Sequence, residues 1–213
     1  QKIAVGYGGE AGQMDDHLKD LVKRYCQDVL IIARNVASQH VLADLGIESR
    51  AGTDTAWTFE PAPQEVGAKI LREHGWDGEK PVLALCPINP FWWPVKPNVG
   101  RAVVNSFSGI YDDAHYGSVY FHEEGAEVEA KQERYLRAIA NATTKLLREH
   151  DVFVVMCGSE ALDRKACEDL NVLLGGHNPV LVADDFDMYD MVSVMRNATY
   201  MVSSRYHACV TTM

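Results

Sequence analysis

Short, unbroken apolar runs recur along this chain and are separated by stretches with helical spacing. Parallel-sheet α/β folds accommodate that alternation; few others do. The runs are Lys2-Ile3-Ala4-Val5-Gly6-Tyr7, Asp28 to Ala33, Val82 to Cys86, Val152 to Met156, Val180 to Ala183 and Thr199 to Val202. Strands buried on both faces lose the polar alternation of a half-exposed strand, and four to six apolar residues in a row have that signature. Between them, Leu18, Leu21, Val22 and Tyr25 share one face of a helix predicted from Met14 to Gln27. Further helices are predicted from Val36 to Leu45, stopped by Gly46, and from Gln64 to His74, stopped by Gly75. A long one spans Val128 to His150, with Tyr135, Leu136, Ile139, Ala142, Thr143 and Leu146 facing inward, and another spans Leu162 to Leu174. Asp187 is placed to cap a helix that carries Met188, Met191, Val192 and Met195 on one face. Strands joined through helices imply right-handed crossovers and helices on both sides of a parallel sheet.

The segment Pro87 to Gly125 breaks the pattern: it is rich in Pro, Gly, Asn and aromatic residues and reads as long loops with one short helix near Val99 to Asn105. Turn residues and charge concentrate in Trp76-Asp77-Gly78-Glu79-Lys80-Pro81. This divides the chain into a first domain over 1–76, a linker over 77–81 and a second domain over 82–213. The chain enters a strand directly after Gln1 and stops within the helical stretch Cys209 to Met213. A segment of a longer protein is therefore expected, with both domains incomplete.

Twenty Lys and Arg against thirty Asp and Glu leave a net charge of −10 over 213 residues, with no basic cluster to meet a nucleic-acid backbone. An anionic small molecule would need a local cation. The five cysteines, Cys26, Cys86, Cys157, Cys167 and Cys209, include no CxxC pair and read as buried thiols. No apolar run approaches the ~18 residues of a membrane span and no signal peptide is visible, so a cytoplasmic location is expected.

Ligands of open parallel sheets collect at the carboxyl ends of the strands. That rule directs attention to Ser203-Ser204-Arg205-Tyr206-His207-Ala208, which follows an apolar run and opens a helix. Ser203 or Ser204 can cap the helix, whose first N–H groups attract anions. Arg205 offers a planar fork for carboxylate or phosphate, and His207 can move a proton near neutral pH. The competing reading is a surface arginine and a core histidine. Arg34 also follows an apolar run; it is either a site cation or a helix-start residue paired with a carboxylate. Asp54 sits in the small, apolar run Gly52 to Trp57 and serves either catalysis or loop N–H groups. Trp92 and Trp93, in Asn89-Pro90-Phe91-Trp92-Trp93-Pro94, suit stacking on a sugar ring and equally suit packing or a subunit contact. Asp112, Asp113, His115, His122, Glu123 and Glu124 are metal-ligand types without ligand spacing, and a solvated loop accounts for them better. Asp184-Asp185-Phe186-Asp187 reads as turn and cap, and Gly6 to Gly12 fits neither GxGxxG nor a P-loop.

Three of these places, in order, resemble the polysaccharide pyruvyl transferase family. Arg34-Asn35-Val36-Ala37-Ser38 with Leu42 and Leu45-Gly46 is similar to its R-[DE]-x-x-S…L-x-x-L-G stretch, and Thr53-Asp54-Thr55-Ala56-Trp57 to its short Asp-containing segment. Ser204-Arg205-Tyr206-His207-Ala208 is similar to its R-L-H signature after a strand. Asn35 replaces the usual acidic residue and Tyr206 the usual Leu; the family's glycine-rich opening strand and the continuation past Met213 are absent, and Pro87 to Gly125 matches poorly. The resemblance implies two Rossmann-like domains in a GT-B-like arrangement, 1–76 being the C-terminal part of the first. It implies transfer of a pyruvyl group from phosphoenolpyruvate to a hexose of a cell-surface glycan or its precursor, as in exopolysaccharide biosynthesis, with formation of a cyclic ketal. Arg205 and His207 would be catalytic; Ser204, Arg34 and Asp54 would bind substrate; no cofactor or metal is called for. Trp92 and Trp93 are assigned as the acceptor platform on their chemistry alone. Two alternatives stand beside this reading: a GT-B glycosyltransferase or sugar-nucleotide enzyme holding a diphosphate, and a non-catalytic sugar- or anion-binding module.

Overall fold

The computed structural model describes residues 4–9, 11–12, 14–108 and 119–213. The chain is α/β with parallel sheets, as its alternation predicts. It divides into two compact units, Gln1–Phe59 and Glu60–Met213.

In the first unit, β1 (Ala4–Gly9), α1 (Asp16–Tyr25), β2 (Val29–Ala33), α2 (Val36–Asp44) and β3 (Ser49–Ala51) alternate, and the three strands pair in parallel in the order β1-β2-β3. The helix starts follow from their caps: Asp15 accepts the Leu18 N–H at 2.7 Å, and Asn35 accepts the Ser38 N–H at 2.8 Å. α2 ends at Gly46 (φ +74°), whose left-handed backbone lets Ile47 donate back to the Leu42 carbonyl at 2.9 Å. A 3₁₀ turn over Thr55–Thr58 closes the unit.

The second unit contains α3 (Gln64–Glu73), β4 (Val82–Cys86), a 3₁₀ turn over Pro90–Trp92, β5 (Lys96–Pro97), α4 (Val99–Ser108), β6 (Tyr120–Phe121) and α5 (Ala126–Glu149). β7 (Phe153–Gly158), α6 (Asp163–Leu173), β8 (Val180–Val182), α7 (Met188–Arg196), β9 (Tyr200–Ser203) and α8 (Tyr206–Thr212) follow. The main sheet runs β8-β7-β4-β9, every pair parallel. Alternate residues of its strands serve opposite faces. Leu83 and Leu85 of β4 join Val154 and Met156 of β7 under Leu136 and Ala140 of α5 and Cys167 and Leu170 of α6. The Cys86 thiol, one residue on from Leu85 and so on the other face, lies 3.9 Å from the Met195 sulfur of α7. α7 is buried from Met191 to Met195 because it is sandwiched between the sheet and α3. The inward stripe of α5 is Gln132, Leu136, Ala140 and Thr143. Ala142, expected inside, is exposed, since it sits six residues and about 240° round the helix from Leu136.

Helix α3, which the sequence pattern assigns to the first domain, packs on α7 in the second unit. The Trp76 to Pro81 stretch, read as a linker, is the turn from α3 into β4. Asp77 there accepts the N–H groups of Glu79 and Lys80 at 2.9 Å each, and these bonds hold its carboxyl below the usual range. The region Pro87 to Gly125 holds α4 where a short helix is expected, plus the antiparallel pair β5–β6. Of the five cysteines, all free, Cys86, Cys157 and Cys167 are buried while Cys26 and Cys209 are only half-buried. The neighbouring Cys86 and burial push the Cys157 thiol up, and burial does the same to Cys167, so both are inert packing groups. Among the described residues no helix is long and apolar enough to cross a membrane.

Close approach of α3 and α7 depends on Gly67. Its N–H donates to the Ser193 hydroxyl at 2.9 Å, which in turn donates to the Pro63 carbonyl at 2.7 Å. A Cβ at Gly67 would collide with the Ser193 carbonyl group and the Val194 nitrogen, which are backbone and cannot swing aside. Gly67→Ala is expected to cost about 2–3 kcal/mol in urea unfolding. Gly100→Ala in α4, whose Cβ would meet only the Asn98 side-chain oxygen at 3.7 Å, an ordinary contact, should be neutral or slightly stabilising in the same measurement.

Candidate functional site

Strands β7, β4 and β9 are adjacent and parallel, so their carboxyl ends and the segments that leave them lie side by side. Ile88 to Trp93 leaves β4, Ser159 to Leu162 leaves β7, and Ser204-Arg205 leaves β9. Ile88, Trp92 and Trp93 of the first, Glu160 and Leu162 of the second and Arg205 of the third line a cavity of about 270 Å³, of which Ser204 is not a lining residue. This is where the strand-end rule places a ligand.

Arg205 forms one wall of that cavity, held by two carboxylates. Its Nε and Nη2 donate to Asp163 at 3.0 and 2.6 Å, and its Nη1 and Nη2 donate to Glu160 at 3.1 and 3.0 Å. Half-burial opposes the guanidinium charge, but the bonds to Asp163 and the charges of both carboxylates outweigh it and hold the proton more firmly than usual. Asp163 is 3% exposed and also accepts the N–H groups of Ser159 and Glu160 at 3.0 and 3.1 Å. It is thus a buried hub that ties the end of β7 to the start of α8. Sequence reasoning takes Arg205 as a cation open to a ligand anion; the structure places it in a cluster with one positive and two negative groups.

The helix start differs in detail from expectation. Arg205 itself is the N-cap of α8, without a side-chain cap. Ser203 Oγ accepts the Arg205 N–H at 3.0 Å and donates to the Arg205 carbonyl at 3.1 Å, so it shapes the turn before the helix. The Ser204 hydroxyl bonds to the Tyr135 hydroxyl of α5. His207 is exposed on the first turn of α8, beside the Tyr206 ring, and is not among the residues that line the cavity.

Trp92 and Trp93 do line it. Their segment is fixed at several points: Asn89 accepts the Phe91 N–H at 3.0 Å, Gln132 donates to the Ile88 carbonyl at 3.1 Å, and Glu123 donates its N–H to the Trp92 carbonyl at 3.0 Å. His122 lies against both indoles, with ring centroids 5.0 and 5.5 Å away. Trp93 is 56% exposed, so an aromatic face is presented beside Arg205 rather than consumed by the core. A larger groove of about 490 Å³ lies beyond Trp92, between α5 and α6. Its one cation, Lys165, is paired with Asp169 at 2.5 Å, and acidic residues dominate its polar lining.

In the first unit, Arg34 and Asp54 meet. Arg34 Nη1 donates to Asp54 Oδ2 at 2.5 Å, while Asp54 Oδ1 accepts the Ala56 N–H at 2.9 Å and caps the 3₁₀ turn. The residues read as metal-ligand types divide: Asp112, Asp113 and His115 lie outside the described residues, His122 packs against the two indoles, and Glu123 pairs with Lys96 and Glu124 with Arg101. Among the described residues no group of three His, Cys, Asp or Glu side chains could hold a metal ion. Asp187 caps α7 by accepting the Asp190 N–H, and Asp185 holds Arg164 at 3.0 Å.

The model of the polysaccharide pyruvyl transferase family matches residues 3–213. The chain belongs to this family. The match takes in the Pro87 to Gly125 region, which carries none of the three motifs. No curated protein and no solved structure matches the chain. Membership makes this polysaccharide pyruvyl transferase family protein a transferase, with a pyruvyl donor and a sugar acceptor.

Sequence reasoning misses Glu160, Asp163 and Tyr135. The first two are within its reach, because Gly158-Ser159-Glu160 follows an apolar run just as Ser204-Arg205 does. Tyr135 carries no such signal; it is one of several aromatic residues in the chain and sits on a long helix. Asp163→Ala should destabilise the protein by about 3–5 kcal/mol in denaturant unfolding, since it strands a half-buried guanidinium and two loop N–H groups.

Proposed function

We propose that the chain moves a pyruvyl group from phosphoenolpyruvate to a hexose of a cell-surface glycan or its precursor, forming a cyclic ketal. Membership of the family carries this reading. The cavity at the strand ends supports it: a guanidinium for the donor's anionic groups stands beside an indole face for a sugar ring.

The chemistry makes plain demands. A sugar hydroxyl adds to the carbon that bears the phosphate, and the enol methylene takes up a proton to become a methyl group. A second hydroxyl then replaces the phosphate, which leaves as inorganic phosphate with the remaining proton. Two hydroxyl protons are released; one ends on the methyl carbon and one on phosphate. A base and an acid near neutrality are therefore needed, and His207 is the residue proposed to carry the proton. Arg205 orients the donor, Ser204 and the two tryptophans position the acceptor, and Arg34 with Asp54 is assigned to substrate binding.

The test is a donor comparison with the intact chain. Transfer of pyruvate from phosphoenolpyruvate to a hexose, with release of inorganic phosphate, is expected, and turnover of nucleotide sugars alone would sink the proposal. His207→Gln should lower kcat by about 10²–10⁴-fold while leaving the far-UV circular dichroism unchanged.

A further inference from the structure

The two carboxylates on Arg205 are not equivalent. Asp163 is buried and tied down by two backbone N–H groups as well as by the guanidinium. The Glu160 side chain is 40% exposed. Its N–H is already taken by Asp163, so its carboxylate can swing away without any change in the backbone of the loop. Its two oxygens meet Nη1 and Nη2, one oxygen to each, at 3.1 and 3.0 Å. That is the end-on bidentate arrangement open to a planar carboxylate on a guanidinium whose Nε edge is already taken by Asp163. Both residues face the cavity that also carries Trp92 and Trp93.

We propose that Glu160 is a displaceable internal occupant of the Arg205 fork, holding the place of a ligand's carboxylate. The proposal deepens the reading given above and rests on it for the identity of the ligand. Asp163 is the permanent counter-ion; Glu160 is the exchangeable one. A ligand carboxylate enters by taking over Nη1 and Nη2 while the Glu160 side chain rotates into solvent, so one bidentate pair replaces another and no bond is broken in the backbone. The Glu160 carboxylate is the more exposed partner, and it regains water as the ligand replaces it on the guanidinium, which makes the exchange cheap. It also sets a threshold: a ligand must outcompete a carboxylate tethered beside the fork, and only a ligand with further contacts in the cavity does so. Glu160 is thus a specificity-determining residue.

Titration calorimetry on the intact chain, with phosphoenolpyruvate, pyruvate and inorganic phosphate as separate probes, tests this in the wild type and in Glu160→Gln and Glu160→Ala. Both variants should bind phosphoenolpyruvate and pyruvate about tenfold more tightly than the wild type. Their melting temperatures should stay close to that of the wild type. Unchanged or weaker carboxylate binding in both variants overturns the proposal, as does failure of every protein to bind any of the probes. Tightening for inorganic phosphate without tightening for pyruvate overturns the assignment to a carboxylate. If carboxylates tighten but no pyruvyl group is transferred, the exchange stands and the proposed reaction falls. Transfer with unchanged affinities means the opposite: the reaction stands and the exchange falls.

Discussion

The contact between Arg205 and Asp163 organises the second unit's candidate site. Asp163 opens α6, Arg205 caps α8, and the loop between β7 and α6 folds back so that its N–H groups reach the same carboxylate. A single buried anion thereby satisfies donors from two separate strand-to-helix turns. Burying one charge of this pair without the other would be prohibitive, so the two turns are held in one mutual geometry. The tryptophan segment is fixed independently, through Gln132 of α5 and Glu123. The cavity is therefore bounded by walls that are set before any ligand arrives, which is what a positioning site requires.

Electrostatics gives this arrangement its character. A chain with a net charge of −10 attracts small anions poorly, and the local cluster around Arg205 does not reverse that sign. In the proposed site, affinity for an anion would depend on directional hydrogen bonds from a fork of fixed geometry rather than on long-range attraction. Arginine suits this task where lysine would not, because Nε and Nη2 can remain on Asp163 while Nη1 and Nη2 address a second oxyanion.

Much of the fold is legible in the sequence because burial on two faces leaves an unambiguous mark: β4 and β7 are continuous apolar runs, and their predicted ends fall within two residues of the observed ones. β3 is not legible, since Ser49-Arg50-Ala51 is short, polar and at the sheet edge, where only backbone pairing with β2 defines a strand. β5 and β6 are two residues each, below any periodicity. The packing of α3 within the second unit has another basis. Its sequence shows an amphipathic helix correctly, but which helix its face packs on depends on Gly67 admitting the Ser193 backbone of α7, and that partner lies far along the chain. Site residues split along the same line. Arg205 announces itself by following a strand; the ion pairs that decide its availability come from Glu160 and Asp163, and no local rule reveals such a pairing. Arg34 and Asp54, twenty residues apart in sequence, read as separate candidates and are partners.

The two departures from the family pattern fall where their replacements meet the local physical need. An acidic residue after Arg34 would cap α2; Asn35 caps it equally well by accepting the Ser38 N–H. Ser38 itself is fully buried and accepts the Ala11 N–H at 2.9 Å, so the motif fixes the loop that follows β1 and its serine is structural. At the other end, Tyr206 stands where the pattern has Leu, but the side chain is 57% exposed and the buried face of α8 is built from Ala208, Val210 and Thr211. A larger, partly polar residue is tolerated there because it displaces nothing in the core. Its ring instead lies edge-on to His207, 5.3 Å between centroids, so the substitution alters the surroundings of the proposed proton carrier rather than the packing of the helix that bears it.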